Sequence, residues 1–183
     1  MKSFTHHVAL AALVAIAPLA AAAAASPMVG GAAMYPTRTI VDNAVNSKDH
    51  TTLVAAVRAA GLVETLSGPG PFTVFAPTDA AFGKLPAGTV DTLVLPENKG
   101  QLTTILTYHV VSGKMTSKDI AKAIKAGGGK ATLTTVQGGA LTAAKSGGRL
   151  VLTDAKGGTS TVTIKDVIQS NGVIHVVDTV LMP

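Results

Sequence analysis

The chain of 183 residues contains no cysteine. That excludes disulfides and anchoring through a lipid-bearing N-terminal cysteine, so the fold must be held by core packing alone. A chain of this length can bury enough surface to do so. Aromatic residues are also scarce, two tyrosines and four phenylalanines. None interleaves with the lysines, so bases have no stacking surface and nucleic acid is not an expected partner. Charge is low as well: 15 basic and 10 acidic residues give a formal net charge of +5, spread along the chain.

The signatures of catalysis are missing too. No serine sits in G-x-S-x-G and no H-E-x-x-H occurs. The stretch "AGGGKAT" lacks the leading glycine and the hydroxyl residue after Lys130 that a phosphate-binding loop needs, so its glycines read as the end of a helix. His50, His109 and His175 stand at no ligand spacing, and the latter two lie in apolar runs where a hydrogen-bonded core histidine is the plain reading. The acids are scattered, whereas paired-carboxylate chemistry needs two carboxyl groups within roughly 5 to 10 Å. No catalytic residue, cofactor or metal site is therefore expected.

What is present begins with an export signal. Lys2, His6 and His7 precede the apolar run "VALAALVAIAPLAAAAAA", which ends in small residues at Ala23-Ala24-Ala25. That layout predicts a signal peptide over residues 1–25, a mature start near Ser26 and a secreted or periplasmic protein with no remaining membrane span. An uncleaved anchor is the alternative, although Pro18 and the alanine run make a weak span.

Residues 26–38, small, Gly- and Pro-bearing and aperiodic, read as a flexible lead-in to one domain over 39–183. Ile40, Val41, Ala44 and Val45 form one helical stripe, and a second helix runs from Thr51 or Thr52 to Ala60 with Gly61 as its stop. "SGPGP" is a turn, and "FTVFAP" alternates as a strand up to Pro77, after which Thr78 or Asp79 can cap a short helix. Two helical pieces broken at "LPENKG" follow, the second giving way to a strand at Val110-Val111. In "TSKDIAKAIKAGGG", Ile120 and Ile124 face inward while Lys118, Lys122 and Lys125 share the other side; with Lys114 and Lys130 they read as a solvated basic face. Weak contact of that face with anionic polysaccharide or lipid headgroups is conceivable on charge alone. Beyond it, Thr- and Val-rich runs separated by "QGG", "SGG", "KGG" and "SNG" predict antiparallel hairpins. Helices first and strands last is the α+β layout.

Three stretches together resemble the fasciclin-like, or FAS1, domain family. The first is "FTVFAPTDAAF", with Thr73, Val74, Phe75, Ala76, Pro77, Thr78, Asp79 and Phe82. The second is the pair Tyr108-His109. The third is "NGVIHVVDTVLMP", with Asn171, Gly172, Val173, Ile174, His175, Val176, Asp178 and Pro183. The resemblance spans Thr39 to Pro183, and small exported bacterial members similar to secreted mycobacterial antigens are the nearest likeness. It implies a wedge or sandwich of about seven antiparallel strands with helices packed at one side. It also implies a non-enzymatic role in adhesion, binding a cell-surface, matrix or envelope partner, protein or polysaccharide. A small-ligand carrier or stress-related protein is the alternative, and its mark would be a deep apolar pocket. Ala80 stands where the family commonly has an acid, and there is no Arg-Gly-Asp, so integrin-type recognition is not carried over intact. Within the family the tyrosine-histidine pair is both a packing element and the centre of a proposed adhesion site, and the sequence leaves both open.

Overall fold

Three threonines start helices in the same way. Thr39, Thr78 and Thr116 each hold extended backbone and accept, through Oγ1, a hydrogen bond from the amide three residues on. Asp42 and Asp119 complete reciprocal capping boxes with the first and last of them. A computed structural model describes residues 26–183, and the expected export segment lies outside the described residues. The three caps open α1 (Ile40–Ala44), α4 (Asp79–Phe82) and α7 (Ser117–Ala126). Between them lie α2 (Thr51–Ala60), which Gly61 stops at φ +73°, then α3 (Val63–Ser67) and α5 (Thr89–Leu93). A 3₁₀ turn over Pro96–Asn98 leads into α6 (Lys99–Tyr108).

The strands are β1 (Met28–Val29), β2 (Ala32–Ala33), β3 (Phe72–Pro77), β4 (Val110–Ser112), β5 (Lys130–Thr134), β6 (Ala140–Ser146), β7 (Arg149–Thr153), β8 (Thr159–Gln169) and β9 (Gly172–Val177). Seven of them form one sheet in the order β4-β3-β9-β8-β7-β6-β5. The fold is α+β with a seven-stranded sheet and several helices, but the sheet is not purely antiparallel as expected. β3 and β9 run parallel in the register Phe72↔Gly172 to Pro77↔Val177. Every element from α4 to β8 separates them in the chain, and only such a long crossover can bring two parallel strands together.

β8 bends the sheet. Its first residues pair with β7 and its later ones with β9, with register shifts between Val162 and Ile164 and again before Val167. At the far ends, the Val111–Thr135 bridge and a 2.7 Å bond from Val136 N to Val110 O join β4 to the end of β5, closing the sheet into a wedge. The core divides accordingly. Val74, Ala76, Ile174 and Val176 pack with α1, α2 and α6, while Phe75 and Val177 face the wedge interior with Tyr108, Ile120, Leu141 and Leu152. β9 is thus buried along its whole length, which is why its sequence is apolar at nearly every position.

The lead-in is a second departure. Residues 26–38 carry a small hairpin, β1–β2, whose Val29 and neighbouring Met34 join the helical core. Asn43 secures it by donating to Tyr35 O at 2.8 Å and accepting from Tyr35 N at 3.1 Å.

Candidate functional site

α6 ends at Tyr108, and His109 follows as its C-terminal cap residue, so the pair is delivered to the seam between sheet and helices. Both are inside, Tyr108 with 0% and His109 with 2% of its surface exposed. Tyr108 Oη donates to Ala140 O at 2.8 Å and accepts from Ala155 N at 3.0 Å, tying the start of β6 to the turn after β7. His109 Nδ1 lies 2.8 Å from Ile105 O, and Nε2 accepts from Leu181 N at 3.0 Å. With both nitrogens engaged, the ring is neutral with its proton on Nδ1. Burial pushes its pKa from the ordinary 6.5 down to about 4. Neither ring is presented at the domain surface.

The other motif residues are also consumed internally. Thr73 Oγ1 donates to Gly113 O at 2.6 Å and accepts from Met115 N at 2.8 Å. His175, stacked on Phe75 with centroids 5.6 Å apart, donates through Nε2 to Met115 O at 2.9 Å and accepts through Nδ1 from Asp166 N at 3.3 Å. Asp166 holds left-handed backbone at φ +59° and bonds the amide and hydroxyl of Ser117. Asn171 accepts from Ile40 N at 3.0 Å and donates to Leu66 O and Gly68 O, stitching α1 and α3 to the β8–β9 turn. Asp178 accepts from Thr161 N at 2.9 Å and stands 4.0 Å from Lys84 Nζ. Val173 is buried in the sheet, Phe82 in the helical core, and Pro183 is half-buried at the end of the closing segment.

Asp79 does not cap the helix it begins. That helix is capped by Thr78, whereas the Asp79 carboxylate reaches the start of α2, accepting from Thr51 Oγ1 at 2.6 Å, Thr51 N at 3.3 Å and Thr52 N at 2.8 Å. The residue preceding α2, His50, makes no capping bond of its own. Burial opposes ionisation of Asp79, but the bonds from Thr51 and Thr52 outweigh it and hold the carboxyl below its ordinary range. Asp79→Ala is expected to cost about 1 kcal/mol in urea unfolding. A variant as stable as its parent would show that α2 needs no cap from outside.

Little open space remains around the helical core. The one buried polar side-chain atom without a hydrogen bond among the described residues, His50 Nε2, adjoins a cavity of about 10 Å³, room for no more than a water-sized molecule. An apolar depression among α1, α2 and α6 has about 40 Å³, against ~300–1,000 Å³ for ligand pockets. A wider concavity, about 460 Å³, lies between α7 and β6–β8, with Leu150 and Val162 in its floor and Lys118, Lys145, Arg149 and Lys165 around it. The sequence grouped lysines along one helix, yet only Lys118 of that group reaches this groove. Lys145 and Arg149 arrive through the "KSGGR" hairpin turn, which was the available signal. Among the described residues no cluster of His, Asp and Glu could hold a metal ion, and no helix is long and apolar enough to cross a membrane.

The Fasciclin domain family model matches residues 48–183, most of the chain. The chain belongs to the fasciclin domain family. Protein sll1483 of Synechocystis is 48% identical to this fasciclin chain over 158 residues, covering 86% of it and 81% of the cyanobacterial protein. The cell surface glycolipoprotein MPB83 of Mycobacterium bovis is 36% identical over 163 residues, covering 85% of the chain and 64% of that protein. Among solved structures, a FAS1 domain pair from the insect cell adhesion molecule fasciclin I superposes with a TM-score of 0.71 at 22% identity, covering 81% of this chain and 52% of the pair. That likeness confirms the fold. In this fasciclin domain, then, the motif residues hold sheet, helices and closing segment together from within.

Proposed function

We propose that the chain is an exported, non-enzymatic interaction module that binds a cell-surface, matrix or envelope partner. The observation that carries this reading is the complete internal use of its motif side chains. Tyr108, His109, His175, Asn171 and Asp79 each spend their polar atoms on backbone or side-chain partners within the domain, leaving none poised beside a cleft as nucleophile, acid or base. What such a domain offers its surroundings is surface. Membership of the fasciclin family and the likeness to proteins named for the cell surface and for cell adhesion support the same reading. The test is capture: immobilised purified protein is exposed to envelope and extracellular-matrix fractions. Saturable retention of a partner at micromolar protein is expected; its absence from every fraction overturns the proposal.

A further inference from the structure

Resting on that reading, we infer that the groove between α7 and β6–β8 is the contact surface and that it takes an acidic polysaccharide, a chain bearing uronate or sulfate groups. Lys118 from α7, Lys145 and Arg149 from the β6–β7 hairpin and Lys165 from β8 converge on one concavity of about 460 Å³, within the ~300–1,000 Å³ of ligand sites. All four side chains are exposed, and no acidic residue lines the groove. Of the nearest carboxylates in sequence, Asp119 is held by the Thr116 cap, and Asp166, bonded to the amide and hydroxyl of Ser117 at the groove's edge, pairs with none of the four cations. The single salt bridge among the described residues, Lys84–Asp178, involves none of the four cations. Four cations without carboxylate partners around one concavity concentrate positive potential there and draw in a polyanion.

The remaining lining selects among polyanions. No aromatic side chain is present, so nucleobases have no stacking platform. The cations surround a depression instead of protruding from a flat apolar face, which suits an extended chain better than a bilayer. The Thr163 hydroxyl, donating only a long 3.3 Å bond to Val176 O, keeps accepting capacity for sugar hydroxyls. Ala121, Leu150 and Val162 give ring C–H groups an apolar floor. Gly147 and Gly148 have no atoms within 4 Å of where a Cβ would stand, so the hairpin end of the groove is unobstructed.

Oligogalacturonides and heparin oligosaccharides are titrated calorimetrically onto the purified protein, with dextran as neutral control and polyglutamate and phosphatidylglycerol vesicles as rival anions. Acidic oligosaccharides are expected to bind, dextran not, and affinity to fall as salt rises. The double variant Lys145→Glu, Arg149→Glu is expected to weaken binding by about tenfold or more. Lys48→Glu, Lys99→Glu, the same charge change outside the groove, is expected to leave it nearly unchanged. Circular dichroism melting verifies that both fold. Equal weakening by the two double variants overturns the groove assignment, as does binding of vesicles or polyglutamate without the sugars. If no acidic sugar binds while the protein still retains a partner from envelope or matrix fractions, the groove assignment falls and the interaction-module reading stands.

Discussion

Lowering the pH from 7 to 4 is expected to remove about 3 kcal/mol of stability through His109 alone. In the unfolded chain its imidazole titrates near 6.5, whereas burial in the fold lowers that to about 4. Below 6.5 the unfolded state therefore gains a proton that the folded state refuses. Stability is complete above 6.5, declines as pH falls toward 4, and loses nothing more from this residue below that. The geometry explains the refusal: a proton on Nε2 would face the amide of Leu181 donor to donor, with Nδ1 already donating to Ile105 O. His50 and His175 are also shifted down, chiefly by burial, and act in the same direction. The capping carboxylates Asp42, Asp79 and Asp119 are lowered too, so their contribution disappears only at more acid pH. Urea unfolding of the parent and of His109→Gln across this range isolates the one histidine. The variant is expected to be weaker at pH 7 and the gap to narrow steadily toward pH 4. A gap independent of pH would mean that His109 is not held neutral.

Gly172→Ala is expected to destabilise by more than about 3 kcal/mol, at the severe end for a single methyl group. A Cβ at residue 172 would stand 2.0 Å from Phe72 O, 2.9 Å from Phe72 C and 3.0 Å from Phe72 N. These are backbone atoms of the strand that β9 pairs with, so no rotamer change relieves the overlap. Either β3 moves away, breaking the register at Phe72↔Gly172, or the 3.0 Å bond from Phe72 N to Asn171 O is lost. Gly100 in α6 is the matched control. Nothing lies within 4 Å of its prospective Cβ, and in a helix the added methyl should stabilise by about 0.5–1 kcal/mol. Opposite signs from two Gly→Ala changes in parallel urea titrations are the expected result; a mild effect at residue 172 would show that β3 and β9 are not in close contact there.

Elements with local signals were legible in the sequence. The Thr-x-x-Asp boxes at Thr39 and Thr116, the left-handed stop at Gly61 and the alternation in β5 and β7 are each written within a few residues. Relations between distant residues were not. The local pattern allows Thr78 or Asp79 as cap for the helix after Pro77; Thr78 takes that role, and Asp79 caps a helix whose first residue lies 28 positions earlier. The sequence does not decide between packing and recognition for Tyr108 and His109 because their partners stand 32, 47 and 72 residues away. The β1–β2 hairpin has strands of two residues, too short for alternation to register. The groove was invisible for the same reason as the parallel pair: helix periodicity finds Lys118, but only the folded hairpin carries Lys145 and Arg149 beside it.

The parallel pairing of β3 with β9 also governs when the domain can form. β9 follows every other strand in the chain yet lies third from one edge of the sheet, where it supplies β3 and β8 with their shared neighbour. During synthesis, β3 waits for its central partner until nearly a hundred further residues have been made. A nascent chain can close the β5–β7 meander early, but β3 and β8 cannot be joined until residues 172–177 have emerged. High contact order of this kind makes folding slow and late. It keeps the sheet incomplete until the last strand of the chain has been made.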